Sequence, residues 1–237
     1  LMKKLILFTP VTFLLFLIMR CETPVEKADS QNPVKTEYVD LVSLFKQWRT
    51  FENPPLKDGA PDYTAATFEK RWPEFKQLQA SLLAIDTAGW VIENKVDWLI
   101  VWAEMNGYDF NHRVLKPWAR DPAFYTSIWM YQSDVPAHEG PTHHGITEVW
   151  TYNFPLGKEE RNRFLADIKV IQPLNDQAKL NLIGNAKELW ITGIRDIRSQ
   201  SKALQNIIDN YGLEEDVELV AALNGAKKST DDLVIWL

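Results

Sequence analysis

The stretch NAKELWITGIRDIRSQSKALQNIIDNYG, residues 185–212, decides the fold class. Ala186, Leu189, Gly193, Ile197, Ser201, Leu204, Ile208 and Tyr211 recur at steps of three or four, which places them on one face of a helix of 3.6 residues per turn. Gly212 follows the last of these positions and supplies the left-handed residue at which helices commonly stop. The segment reads as a long amphipathic helix with one face turned to a core.

Outward from it the same spacing recurs. Leu41, Leu44, Phe45 and Trp48 mark one helix, and Phe68, Trp72, Phe75, Leu78, Leu82 and Ile85 mark another, with Pro73 predicting a kink or a late start. Further helices are expected over Ile92–Tyr108, over Pro122–Met130 with Asp121 as N-cap and Pro122 at the first helical position, and over Lys158–Ile171. Val149–Phe154 is the one strand candidate. The expected class is all-α, an irregular helical array. Ser229-Thr230-Asp231-Asp232 reads as a helix start, with acidic residues favouring the positive end of the dipole. A helix beginning that close to Leu237 predicts that the chain is the N-terminal part of something longer, incomplete at its C-terminus.

Residues 1–20 have the order of an export signal, with Lys3 and Lys4 followed by Leu5-Ile6-Leu7-Phe8 and then Val11 to Met19. The run falls short of the about 20 apolar residues that span a bilayer. It ends at Cys21, and a cysteine directly after such a signal resembles the lipobox of bacterial lipoproteins, although Arg20 stands where a small residue is usual. Cys21 is therefore the expected lipid attachment, and the protein is expected in the bacterial cell envelope, anchored to the membrane. As the only cysteine of the chain it forms no internal disulfide. Residues 21–36 are polar, with Pro24 and Pro33, and read as a flexible tether. Residues 37–237 form the helical region.

Removing Lys3, Lys4 and Arg20 from the 26 basic residues leaves 23 against 32 acidic ones, a net charge of about -9. That balance excludes nucleic acid as a partner, because phosphate binding requires a basic surface. The chain has no glycine-rich phosphate loop, no Gly-x-Ser-x-Gly elbow and no cysteine pair.

Three of the four histidines fall in Ala137-His138-Glu139-Gly140-Pro141-Thr142-His143-His144. On a helix His138 and His143 would be about 140° apart, unlike the i, i+4 pair of a zinc protease helix. Gly140 and Pro141 make the segment a loop. His138, Glu139, His143 and His144 are candidate residues of a pocket-lining loop, with a metal-binding loop and an ordinary surface loop as the other readings. Glu93, Asp97, Glu104 and Asn111 form a polar stripe that reads as the solvated face of a buried helix, with carboxylates aimed into a cleft as the alternative. Trp48, Trp72, Trp98, Trp102 and Trp190 sit among apolar neighbours and read as core with hydrogen-bonded indoles, with sugar stacking as the alternative.

The run from Lys95 to Phe110, KVDWLIVWAEMNGYDF, continuing through Val114-Leu115-Lys116-Pro117-Trp118-Ala119-Arg120-Asp121-Pro122-Ala123-Phe124-Tyr125, resembles the N-terminal half of the DUF885 family of bacterial proteins. Ser133-Asp134-Val135-Pro136, Glu139-Gly140-Pro141 and Gly184-Asn185-Ala186-Lys187-Glu188-Leu189-Trp190 extend the likeness, which spans about Tyr63 to the C-terminus. The resemblance implies a long, mostly helical protein similar to zinc-dependent peptidases. Its metal-binding stretch, of the form His-Glu...Pro-Gly-His-His, lies in the C-terminal half. The His138–His144 loop lacks the Pro-Gly before its histidine pair and stands in the other half, so no zinc ligand is carried onto it. The expected function is the catalytically incomplete front part of an exported metal-dependent peptidase with a peptide substrate. The alternative is a stand-alone envelope lipoprotein with a binding or scaffolding role.

Overall fold

The computed structural model describes residues 36–132, 145–184 and 186–237, all within one compact unit, Thr36–Leu237. The elements in chain order are α1 (Tyr38–Glu52), β1 (Leu56–Lys57), β2 (Ala60–Pro61), α2 (Ala65–Leu83), α3 (Ile92–Phe110), a π-helical turn (Asn111–Leu115) and α4 (Pro117–Arg120). There follow a 3-10 turn (Pro122–Tyr125), β3 (Ile128–Trp129), β4 (Thr147–Glu148), a second 3-10 turn (Val149–Thr151), α5 (Lys158–Lys169), α6 (Ile171–Asn181), α7 (Lys187–Asn210) and α8 (Val217–Trp236). The protein is all-α, with two-residue strands as its only sheet among the described residues.

From Gly193 onward the expected face is the one α7 buries, with Gly193, Ile197, Gln200, Ser201, Leu204 and Ile207 turned inward, whereas Leu189 is exposed. Gly212 follows at φ 67, in the left-handed region. Leu204 and Ile207 join Phe164, Leu165 and Ile168 of α5, Ile171 of α6, and Leu219, Leu223 and Ala226 of α8 in one core cluster. A second cluster links Leu174, Ala178, Ile197 and Leu233 to Tyr63, Trp118, Phe124 and Tyr125. A third stands on α1, α2 and α3, where Trp48, Phe75, Leu82, Val101 and Met105 are buried.

Several boundaries differ from expectation for identifiable reasons. Eight residues of α2 precede Pro73, which lies inside the helix, so a late start is corrected. The helix expected over Lys158–Ile171 breaks at Val170 into α5 and α6. Pro173 has no N–H to give, and its ring clashes with the carbonyl four residues back, that of Lys169. Pro122–Met130 is only a 3-10 turn. Asp121 does cap it, accepting from Ala123 N at 2.9 Å. Beyond Tyr125, however, the amides of Ser127 and Ile128 bond to the Gln200 side chain and not to a preceding turn. Val149–Phe154 forms a 3-10 turn where a strand was expected; the strand is the pair of residues before it. Ser229–Asp232 is not a helix start but lies inside α8, where Lys227 and Lys228 reach Asp231 and Asp232 at i, i+4, both at 2.7 Å.

Buried carboxamides hold the irregular segments. Asp58 and Gly59, at φ 54 and 82, turn the β1–β2 hairpin, as a two-residue turn with both residues left-handed requires. Gln177 of α6 accepts from Tyr63 N at 2.9 Å and donates to Pro61 O at 2.9 Å. Asn181 donates to Tyr63 O and to Tyr125 Oη, each at 3.0 Å. Backbone groups without a helical partner are thus satisfied by α6 and α7.

Candidate functional site

The sequence-predicted site residues Cys21, His138, Glu139, His143 and His144 lie outside the described residues. What the structure does describe is the stem of that loop. β3 pairs with β4 in parallel, Ile128 opposite Thr147, with Thr147 N donating to Ser127 O at 2.7 Å. Beneath the stem, Gln200 accepts from Ile128 N at 3.1 Å and donates to Thr230 Oγ1 at 3.4 Å. Asn175 in turn donates to Ser229 Oγ at 2.7 Å and to Thr230 Oγ1 at 3.3 Å. A buried polar chain thus runs from α6 through α8 and α7 to β3, which pairs with β4.

The zinc implied by the resemblance finds no ligand set here: among the described residues no three His, Cys, Asp or Glu side chains are grouped to hold a metal ion. No described helix is long and apolar enough to cross a membrane.

The fourth histidine, His112, belongs to no motif. It sits in the π-helical turn, stacked on Tyr108 with ring centroids 3.7 Å apart, and meets Phe68 and Trp118 at 4.8 Å each. Nδ1 lies 2.8 Å from Tyr108 O. Because a carbonyl only accepts, Nδ1 carries the proton and Nε2 is a buried lone pair without a partner. Burial pushes the imidazole down to about 4, helped by the Arg71 charge, so it is neutral at pH 7. The ring works as an aromatic plug between α2, α3 and α4.

A cleft of about 670 Å3 opens between α6 and α8, with Pro173, Asp176 and Leu180 on one wall and Ala221, Ala222 and Gly225 on the other. Its rim carries Lys57 from the hairpin turn and Lys169, which is paired with Glu218 at 3.0 Å. Its size is that of small-ligand clefts.

The largest departure from a self-contained core is α3. Its inward face, Trp98, Val101, Met105 and Tyr108, packs on α1 and α2. The polar stripe does not form the solvated face. That holds for two of its four residues: Asp97 accepts from Tyr38 Oη at 2.6 Å, and Glu104 faces Trp48 Nε1 at 3.4 Å and Arg49 at 3.6 Å, so these two lie on the seam with α1, whereas Glu93 and Asn111 are exposed as expected. The face left to solvent is apolar: Ile92, Val96, Leu99, Ala103, Gly107, Phe110 and Val114 step by three or four and are all exposed. Ile92 is 68% exposed, Leu99 53% and Phe110 48%. Beside them Ile100 is exposed and Trp102 is 42% exposed, which corrects its expected place in the core. Trp48 and Trp98 are core as expected, the Trp98 indole donating to Leu82 O at 3.1 Å. Trp190 packs on its cluster, but its buried indole N–H has no partner.

Large side chains present roughly 150–250 Å2 each, so these exposures leave on the order of 800 Å2 of apolar surface in water. Monomeric proteins rarely expose a patch above a few hundred Å2. Gly107 sharpens the point. A Cβ there would meet nothing within 4 Å, so internal packing does not explain a glycine that costs about 1 kcal/mol in mid-helix. At Gly193, by contrast, a Cβ would lie 2.7 Å from Ala123 N and 2.9 Å from Pro122 Cβ, so the approach of α7 to the 3-10 turn requires glycine. Gly107 suits a neighbour that comes close from outside.

No family model, no curated protein and no solved structure matches this chain, and its functional reading therefore rests on its own residues.

Proposed function

We propose that this chain is the helical, non-catalytic region of an exported DUF885-like, metal-dependent peptidase, anchored through Cys21, and that it works as an interaction region through the outward face of α3. The observation that carries the reading is the apolar stripe from Ile92 to Val114. Its middle, from Val96 to Phe110, falls in the same Lys95–Phe110 run that carries the family resemblance. Zinc and a peptide substrate belong, in this reading, to residues other than those described.

The test is the paired variant Leu99→Glu with Phe110→Glu, two charges placed on an exposed surface. It is expected to keep the helical circular dichroism of the parent and to lose its native complex, read as a fall in particle size after mild detergent extraction from producing cells. Unchanged particle size removes the face from this role. Zinc-supplemented peptide hydrolysis by the chain alone is expected to be absent, and robust turnover refutes the non-catalytic assignment.

The cleft between α6 and α8 favours a second reading, an envelope lipoprotein that binds a small ligand there. Gly225→Leu would fill it, since a Cβ at Gly225 meets nothing within 4 Å. Retention of a bound small molecule by the parent and its loss in that variant, seen by mass spectrometry of native protein, would support this reading over the first.

A further inference from the structure

The outward face of α3, continued by Val114 of the π-helical turn, is arranged symmetrically about Ala103. Leu99 and Gly107 stand four residues to either side, Val96 and Phe110 seven, and Ile92 and Val114 eleven. All seven are exposed, and none is charged. When two such helices run antiparallel about a two-fold axis at Ala103, each layer joins the residues at equal offsets. Leu99 then shares a layer with the partner's Gly107, Val96 with its Phe110, and Ile92 with its Val114. Each large side chain next to a smaller one is the volume match that ridges-into-grooves packing requires.

We infer that the partner of this face is a second copy of the same chain, paired antiparallel through α3 about Ala103; the inference rests on the interaction role proposed above. A two-fold interface must be complementary to itself, and the equal offsets meet that condition. The apolar surface on offer, on the order of 800 Å2 per copy, is what one partner contributes to a standard-size interface. Small residues at the centre, Ala103 and Gly107, allow the helix axes to approach at the near end of the roughly 8–10 Å range. The flanks agree with the placement: Glu104 and Asp97 are engaged with α1, and Asn106 accepts from Gln79 Nε2 at 3.2 Å. The apolar stripe remains, bordered by the exposed Glu93, Asn111 and Arg113.

The experiment is disulfide trapping in the full chain with Cys21→Ser, comparing Ala103→Cys with Lys202→Cys, an exposed position on α7. A residue on the two-fold axis meets its own copy within the Cα separation a disulfide allows. Cross-linking at position 103 is expected to be on the order of a thousandfold faster than at 202, because pairing replaces a micromolar encounter by a millimolar effective concentration. In the Ala103→Cys background, Gly107→Leu alone sets leucine against leucine and is expected to abolish that advantage. Leu99→Ala with Gly107→Leu moves the large residue to the other side of the layer and is expected to restore it. Both sites are on the surface, and circular dichroism checks that the variants fold.

Equal cross-linking at 103 and 202 overturns the pairing. Maleimide labelling of the same Ala103→Cys protein in producing cells then separates the two claims. Shielding without cross-linking means that a different partner covers the face, so the pairing fails and the interaction role stands. Labelling as fast as at position 202 means that both fail.

Discussion

Replacing Gln200 with Met removes the acceptor for two buried backbone amides, those of Ser127 and Ile128, while keeping length and helix propensity. Gln200 is 2% exposed, so water does not replace the lost bonds. A buried donor left without a partner costs about 1–3 kcal/mol, which gives about 2–6 kcal/mol for the pair. For a unit of this length each kcal/mol shifts the melting temperature by about 2–4 °C, so the expected fall is on the order of 5–15 °C. The control is Gln205→Met on the same helix, whose side chain only meets Asp209 at the surface, at 2.9 Å; it is expected to stay within about 0.5 kcal/mol of the parent. The assay is urea denaturation of both variants, with hydrogen exchange at Ser127 and Ile128 as the local readout. Equal stability of the two variants, or unchanged protection of those amides, would refute the claim that one carboxamide holds the backbone at Ser127 and Ile128.

Two glycines should respond in opposite directions to alanine. Gly193→Ala drives a Cβ into Pro122 and Ala123 and is expected to lose about 1–3 kcal/mol, whereas Gly107→Ala, in protein diluted until the face of α3 is unpaired, faces open space and is expected to gain up to about 1 kcal/mol; thermal melts of the two variants in dilute solution check both signs. His112 titrates at about 4 when folded, against an ordinary value of 6.5. The unfolded chain therefore binds its proton first: the stability tied to neutral His112 is fully present above pH 6.5 and is lost as pH falls toward 4. His112→Phe keeps the ring contacts and removes the titration. Its unfolding free energy is expected to fall less steeply over that window than the parent's, and parallel curves would exclude His112 as the cause.

The helical fold was legible because a buried face leaves a periodic trace: Leu41, Leu44 and Trp48 of α1 and the inward residues of α7 are apolar at helical spacing and are buried. The same logic fails on α3. Its residues are apolar on two opposite faces, so spacing alone assigns the polar stripe between them to solvent. In the structure Asp97 and Glu104 bond to Tyr38 and Trp48 of α1 and leave the apolar face outside. Burial depends on which neighbour arrives, and the spacing within one helix does not record that. The break at Val170 was missed although Pro173 marks it, since a proline forbids the helical bond and crowds the carbonyl four residues before it. Gln177, Asn181 and Gln200 were not, because a carboxamide that clamps a distant backbone looks in sequence like any surface amide. Of the candidate site, the loop from His138 to His144 was visible as a cluster of chemistry but lies outside the described residues. His112 escapes a motif search because a single histidine among aromatic residues forms no motif.

The central claim is that the outward face of α3 is covered by a partner. Cysteines placed singly at Val96, Leu99, Ala103, Gly107 and Phe110, in the Cys21→Ser background, can be labelled with maleimide in producing cells and again in dilute purified protein. The account predicts slow labelling in cells at all five positions relative to Lys202→Cys, with the protection lost on dilution. Labelling in cells as fast at these five positions as at 202 would contradict it.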